Sequence, residues 1–194
     1  CRRAFGRPDR RMNVVRCPWA VTPEYQTYHD TEWGRPLHGN DVLFERLSLE
    51  AFQSGLSWLT ILRKRDAFRA AFAGFRIDAV AAFDDDDVRR LCADAAIVRN
   101  RRKIEAVIHN ARVCRDSPQD LDGLLWSFAP DVPRLRPETA AQIPAVTPES
   151  TAMAQELRRR GFRFTGPTTC YALMQATGMV DDHVASCFRA DAAG

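Results

Sequence analysis

One carboxylate stands alone in a strongly apolar part of this chain. Between Leu47 and Leu62 the only charged residue is Glu50. On a helix it shares a stripe with Leu43, Leu47 and Ser54, so the spacing turns its side chain inward. A buried carboxylate costs several kcal/mol, on the order given for desolvated charges, unless a polar group meets it. Two readings follow: Glu50 lines a pocket and meets a ligand there, or it snorkels to water or pairs with an arginine from elsewhere in the chain. Trp19, Tyr25, Tyr28, Trp33 and Trp58 gather around it in sequence. With one carboxylate they could enclose a flat cationic ring, each desolvated cation–π contact giving up to about 2 kcal/mol. Ordinary core aromatics are the other reading.

Cys17 and His29 near one end, with His183 and Cys187 near the other, form a second constellation. Two cysteines and two histidines match a closed tetrahedral zinc site. His183 and Cys187 are spaced i, i+4, which sets both donors on one face if that turn is helical. Such a site would join the two ends of the chain; unliganded Cys and His are the alternative. Cys92, Cys114 and Cys170 read as small buried hydrophobes. A third constellation, Arg99-Asn100-Arg101-Arg102-Lys103, sets basic side chains beside the free N–H groups of a helix start. That suits a phosphate, and it also suits a plain solvated face. Arg158, Arg159, Arg160 and Arg163 read as solvated.

The elements that must position these residues are helices. Apolar spacings of three and four recur and no long stretch alternates with period two, which predicts an all-α fold. Helices are expected from Asp41 to Gly55 and, capped by Ser57, through Leu62 to about Ala73. Asp78 is expected to cap Ala79 to Phe83. The acidic run Asp84 to Asp87 is expected to cap Val88 to Ala95, and not to hold a metal. Further helices are expected over 101–115 and 121–128. Five prolines between Pro130 and Pro148 predict an extended, ordered bridge. Thr147 as cap, Pro148 at the first position and Gly161 beyond the end bracket another helix, and Gly166 and Gly178 bracket the last.

With 45% hydrophobic and 27% charged residues, the composition excludes wholesale disorder, collagen and coiled coil. The net charge of +3 comes from the first eleven residues, which hold five Arg and one Asp, so overall basicity says nothing about nucleic acid. Residues 1–11 are expected to be a disordered leader or an upstream artefact, and residues 12–194 a single domain. No apolar run reaches the roughly 20 residues that span a bilayer, and no secretory signal is visible. Six cysteines without such a signal point to a reducing cytoplasmic setting.

Taken together, these stretches resemble the DNA-3-methyladenine glycosylase I family. The resemblance is carried by Arg16-Cys17-x-Trp19, Tyr28-His29-Asp30-x-Glu32-Trp33-Gly34 and Leu49-Glu50-x-x-Gln53-x-Gly55-Leu56-Ser57-Trp58. It continues through Trp126-Ser127-Phe128, Arg158-Arg159-Arg160-Gly161-Phe162-x-Phe164, Cys170-Tyr171-x-x-Met174-Gln175-Ala176 and Asp182-His183-Val184. It implies a helix-hairpin-helix glycosylase with a structural zinc, acting as a monomer on N3-methyladenine flipped from double-stranded DNA. By this match Glu50 is the catalytic pocket carboxylate. Tyr28, Trp58, Tyr25, Trp19, Trp33 and Gln53 bind the base. Cys17, His29, His183 and Cys187 hold the zinc, and Arg99, Arg101, Arg102 and Lys103 contact DNA. Ala96 and Arg102 stand where the family pattern has hairpin glycines, and Ala51 and Ser54 are a step larger than expected.

Three other functions are weighed against this one. A zinc hydrolase or deaminase needs an open metal position, which four protein ligands do not leave. A lyase-active glycosylase needs a Schiff-base lysine, and only Lys64 and Lys103 are present. A non-catalytic, zinc-stapled DNA-binding module would bind DNA and release no base.

Overall fold

The computed structural model describes residues 14–189, so the expected leader at 1–11 lies outside the described residues. The described residues form helices and connecting segments without strands. The first helix, α1 (Pro23–Thr31), was not among those expected. Its start is nonetheless regular, with Pro23 in the first turn and the Thr22 hydroxyl accepting from the Tyr25 N–H.

Helix α2 (Asn40–Gln53) lies at the centre. Every residue from Leu43 to Phe52 is buried, including Glu45, Arg46 and Glu50. It packs against α3 (Trp58–Ala71) and against α9 (Pro167–Ala176). Ser57 caps α3 as expected, accepting from Thr60 N–H at 3.2 Å. A short 3-10 turn, Ala73–Phe75, leads to α4 (Ile77–Ala81). Asp78 is not the cap of α4; it sits inside the first turn, and the Ile77 N–H donates instead to Asp41 Oδ1 at 2.9 Å. A cap supplied from another helix cannot be read from local spacing.

Helix α5 (Asp85–Ala93) starts on the acidic run, with Asp84 and Asp87 forming a reciprocal capping box. A seven-residue connection, 94–100, leads to α6 (Arg101–Asp116), capped by Asn100. After α7 (Leu121–Trp126) the proline-rich segment is extended apart from a 3-10 turn at Ala140–Gln142. Helix α8 (Pro148–Arg159) and α9 complete the set, with Thr147, Pro148, Gly161, Gly166 and Gly178 in the bracketing positions expected.

The main core joins Leu43, Phe44, Leu47, Leu49 and Phe52 of α2 to Phe68, Phe72 and Phe75. Full burial of each such side chain contributes roughly 1.5–3 kcal/mol. A smaller apolar cluster of Cys17, Tyr28, Trp33, Ala176, Val184 and Cys187, with Trp19 and Trp58 against it, brings the two chain ends together. Gly178 makes that junction possible: at φ +73 a Cβ there would lie 2.5 Å from the backbone of Arg35 and Pro36. Gly34 and Leu37 N–H groups donate across it to the carbonyls of Gln175 and Thr177, each at 3.1 Å. Among the described residues no helix is long and apolar enough to cross a membrane.

Candidate functional site

The two clusters meet at a cavity of about 280 Å³. Trp19 and Trp33 flank α1, which supplies Tyr25 and Tyr28; α2 supplies Glu50 and Gln53, and the first residue of α3 is Trp58. All seven pocket residues expected from the sequence line this one space. Ile143 and the α9 residues Ala172, Gln175 and Ala176 complete the wall. Ligand pockets run from roughly 300 to 1,000 Å³, so this volume suits one ring system and not a dinucleotide.

The aromatic wall is interlocked. Trp19 meets Tyr25 edge-on at 5.7 Å between ring centroids and Trp33 at 5.1 Å, while Tyr28 and Trp58 lie tilted at 5.5 Å. The Tyr25 hydroxyl accepts from the Leu59 N–H at 3.0 Å, one of the unpaired donors opening α3. Trp58 Nε1 is buried with no partner among the described residues, an unused donor on a pocket residue.

Glu50 is 5% exposed. Burial pushes its carboxyl up to about 8, with Arg46 pulling weakly the other way. Arg46, one turn earlier, would be the obvious partner, but its guanidinium donates to Glu32 at 2.5 Å. Arg65 donates to the same carboxylate at 2.6 and 2.9 Å. Burial alone would raise Glu32; the hydrogen bonds from Arg65 and Arg46 hold it down at about 2. Glu32 therefore neutralises the nearby arginines and leaves the pocket carboxyl to whatever enters. Among the described residues Glu50 neither snorkels to water nor pairs with an arginine.

Three of the four expected metal ligands come together. One donor atom each from Cys17, His29 and Cys187 lies within 4.8 Å of the others, with Cys187 Sγ 3.3 Å from His29 Nε2. His183 stands outside that tight trio, its ring centroid 5.0 Å from that of His29, yet its Nε2 is buried without a partner among the described residues. Each imidazole has its Nδ1 held by a carboxylate: His29 by Asp30 at 2.8 Å and His183 by Asp181 at 2.9 Å. A carboxylate on Nδ1 leaves Nε2 as the ring nitrogen available to a metal, as in carboxylate–histidine–metal sites. Burial pushes the Cys17 thiol up to about 12, a shift that a bound cation would reverse. The donor set thus fits a metal ion. His183 and Cys187 are not on a helix but are joined through a turn at 185–186, which corrects the i, i+4 rationale.

The basic segment divides. Arg99 and Arg102 are exposed, and Arg101 is exposed in an i, i+4 pair with Glu105 at 2.7 Å. Lys103 corrects the expectation. It is 6% exposed, and its ammonium donates inward to the carbonyls of Phe52 at 2.8 Å and Ser54 at 2.6 Å, away from any phosphate outside.

Residues 19–190 match the model of the methyladenine glycosylase family. This chain belongs to that family. It is 44% identical to DNA-3-methyladenine glycosylase 1 of Escherichia coli (strain K12), over 90% of this chain and 96% of that one. A crystal structure of a 3-methyladenine DNA glycosylase I superposes with a TM-score of 0.85 at 42% identity, covering 90% of this chain and 98% of the other. The Staphylococcus aureus 3-methyladenine DNA glycosylase I, solved to show the structural basis of 3-methyladenine recognition, gives a TM-score of 0.82 at 35% identity, with 87% and 92% covered.

In this methyladenine glycosylase the residues that sequence reasoning left out come mostly from afar. Arg46, Glu32 and Arg65 build the ion-pair network beneath the pocket. Asp30 and Asp181 orient the histidines, and each is braced by an arginine: Arg16 at 2.7 Å and Arg136 at 2.6 Å. Ala172, Gln175 and Ala176 share one face of α9 at i, i+3, i+4 spacing, a signal that was present in the sequence. Nothing local marks Ile143.

Proposed function

We propose that this protein excises N3-methyladenine from alkylated double-stranded DNA by hydrolysing the N-glycosidic bond of a flipped nucleotide. It would act as a monofunctional glycosylase, a cytoplasmic monomer whose residues 12–194 form a single domain. The observation that carries the reading is Glu50, a buried carboxyl with no hydrogen-bond partner among the described residues, in an aromatic pocket sized for one ring system. The named relatives, glycosylases of 3-methyladenine, support the same substrate.

Methylation at N3 puts positive charge on the nucleotide's base and weakens its glycosidic bond, so little acid catalysis is needed. A cationic base beside Glu50 favours the ionised carboxylate, whereas neutral adenine leaves the carboxyl protonated and uncharged. The attraction therefore arises only for the damaged base. It helps to offset the few kcal/mol that unstacking and unpairing require. In the same position the ionised carboxylate stabilises positive charge developing on the sugar as the bond breaks. Tyr28 and Trp58 bound the base, Trp58 Nε1 offers a hydrogen bond, and Trp19, Tyr25, Trp33 and Gln53 close the remaining wall and exclude water.

Cys17, His29, His183 and Cys187 would hold a structural zinc. Four protein ligands leave no open position, so its contribution is to fasten the two chain ends beneath the pocket and not to activate water. The α5–α6 unit would serve as the helix-hairpin-helix element, with Arg99, Arg101 and Arg102 on the DNA phosphates. The test is a base-release assay on methylated duplex DNA with product identification. N3-methyladenine as the released base is the expected result; binding without release would reduce the protein to a DNA-binding module.

A further inference from the structure

Of the chain's 28 basic residues only Lys64 and Lys103 are lysines. Both lie between the same two parts of the molecule. Lys103, in the first turn of α6, crosses to the end of α2 and donates to the carbonyls of Phe52 and Ser54. Lys64, on α3 six residues beyond Trp58, reaches the other way and donates to the carbonyls of Ala95 at 3.2 Å and Ala96 at 2.8 Å, within the α5–α6 connection.

We infer that these lysines form a reciprocal clamp holding the base pocket in register with the α5–α6 connection, and that Lys103 is a positioning residue for base excision. The inference rests on the proposed phosphate contacts of that connection. A helix leaves its last four carbonyls without intrahelical partners, and a cation there also meets the negative end of the helix dipole. Lys103 satisfies two such carbonyls at the end of the helix that carries Glu50 and Gln53. The intervening Gln53 carbonyl accepts from Leu56 N–H at 2.6 Å, which turns the chain toward Trp58. An ammonium has three donors about one point and fits between two carbonyls, whereas the flat guanidinium fork fits carboxylates and phosphates.

The register matters because a flipped base stays tethered to its own phosphates. A pocket that drifts relative to the phosphate contacts presents Glu50 to the wrong atoms, and small misplacements of reacting groups are costly in rate. Neither the pocket nor the phosphate surface need be damaged for this to happen.

The test compares Lys103→Met and Lys64→Met with Arg102→Ala. Three quantities are measured: affinity for free 3-methyladenine, salt dependence of DNA affinity, and single-turnover base release from methylated duplex. For Lys103→Met we expect unchanged free-base affinity and an unchanged salt slope, with base release slowed on the order of tenfold or more, the scale of losing a hydrogen bond to a charged group. Lys64→Met should slow release in the same sense, and it carries the test if Lys103→Met fails to fold. Free-base affinity falling in parallel with the rate would mean that Lys103 merely props the pocket. A shallower salt slope would return it to the phosphate surface, and an unchanged rate would remove the coupling; each outcome overturns the proposal. Arg102→Ala separates the two levels. If its slope is unchanged, the phosphate assignment fails and takes the clamp's role with it. If its slope falls by about one while Lys103→Met keeps the wild-type rate, the clamp alone fails.

Discussion

Replacing Glu50 by glutamine should make the protein more stable and a poorer enzyme, and the gain in stability should depend on pH. Burial raises the carboxyl from 4.5 in the unfolded chain to about 8 in the folded one. The folded state therefore favours the protonated form. That advantage is fully present below pH 4.5 and is lost as pH rises through about 8. At pH 7 the unfolded chain has ionised while the folded protein remains mostly protonated, and 2.5 pH units at 1.36 kcal/mol each give a cost of about 3 kcal/mol. Above pH 8 the cost levels off at about 5 kcal/mol, an upper bound on the same arithmetic. Glutamine keeps the shape and does not titrate. The difference between variant and wild type should thus be smallest at pH 5 and grow toward pH 9, read by urea unfolding with a common m-value. Base release should fall on the order of 10²-fold, the low end for loss of an acid–base group, since the leaving group is already activated. A stability difference that stays flat between pH 5 and 9, or a variant less stable than wild type at pH 9, would refute the claim that Glu50 is buried with no partner among the described residues.

The other expectations concern the metal, the DNA surface and the junction of the chain ends. His183→Ala should lower zinc content and melting temperature together; full zinc occupancy in the variant would remove His183 from the ligand set. Arg99→Ala and Arg102→Ala should weaken DNA binding for all sequences alike and make the salt slope shallower by about one each, and unchanged slopes would move the interface elsewhere. Gly178→Ala should destabilise by more than the roughly 1 kcal/mol of an ordinary left-handed strain, because its Cβ would also meet backbone at 2.5 Å. A variant within 0.5 kcal/mol of wild type, the usual range for neutral surface changes, would show that the junction relaxes freely.

What the sequence revealed followed from periodicity and from local chemistry. The inward face of Glu50 was legible because Leu43, Leu47 and Ser54 share its stripe, and the capping role of Asp84 to Asp87 because acidic side chains suit a helix start. Helix α1 was missed because its buried residues, Tyr28 and His29, make almost no apolar stripe. The Asp41 cap on Ile77 and the diversion of Arg46 to Glu32 bridge separate elements, which single-chain spacing does not encode. Lys103 misled for a related reason. Its neighbours Arg101 and Arg102 face solvent, but three residues into a helix whose next residue, Ile104, is core, position 103 already faces inward. Cys187 reaches Cys17 and His29 through a turn and not a helix, and His183 stands outside that trio. Their residue types foretold the cluster better than their spacing did.

Base release from N3-methyladenine-containing duplex DNA, measured in single turnover beside an undamaged duplex, bears on the pocket most directly when wild type and Glu50→Gln are run together. The wild type should release N3-methyladenine and leave undamaged adenine in place. Glu50→Gln should fold, bind DNA with the wild-type salt slope, and lose both rate and preference for the charged base. Wild-type rate and discrimination in Glu50→Gln would contradict the assignment of the buried carboxylate as the group that recognises the cationic base.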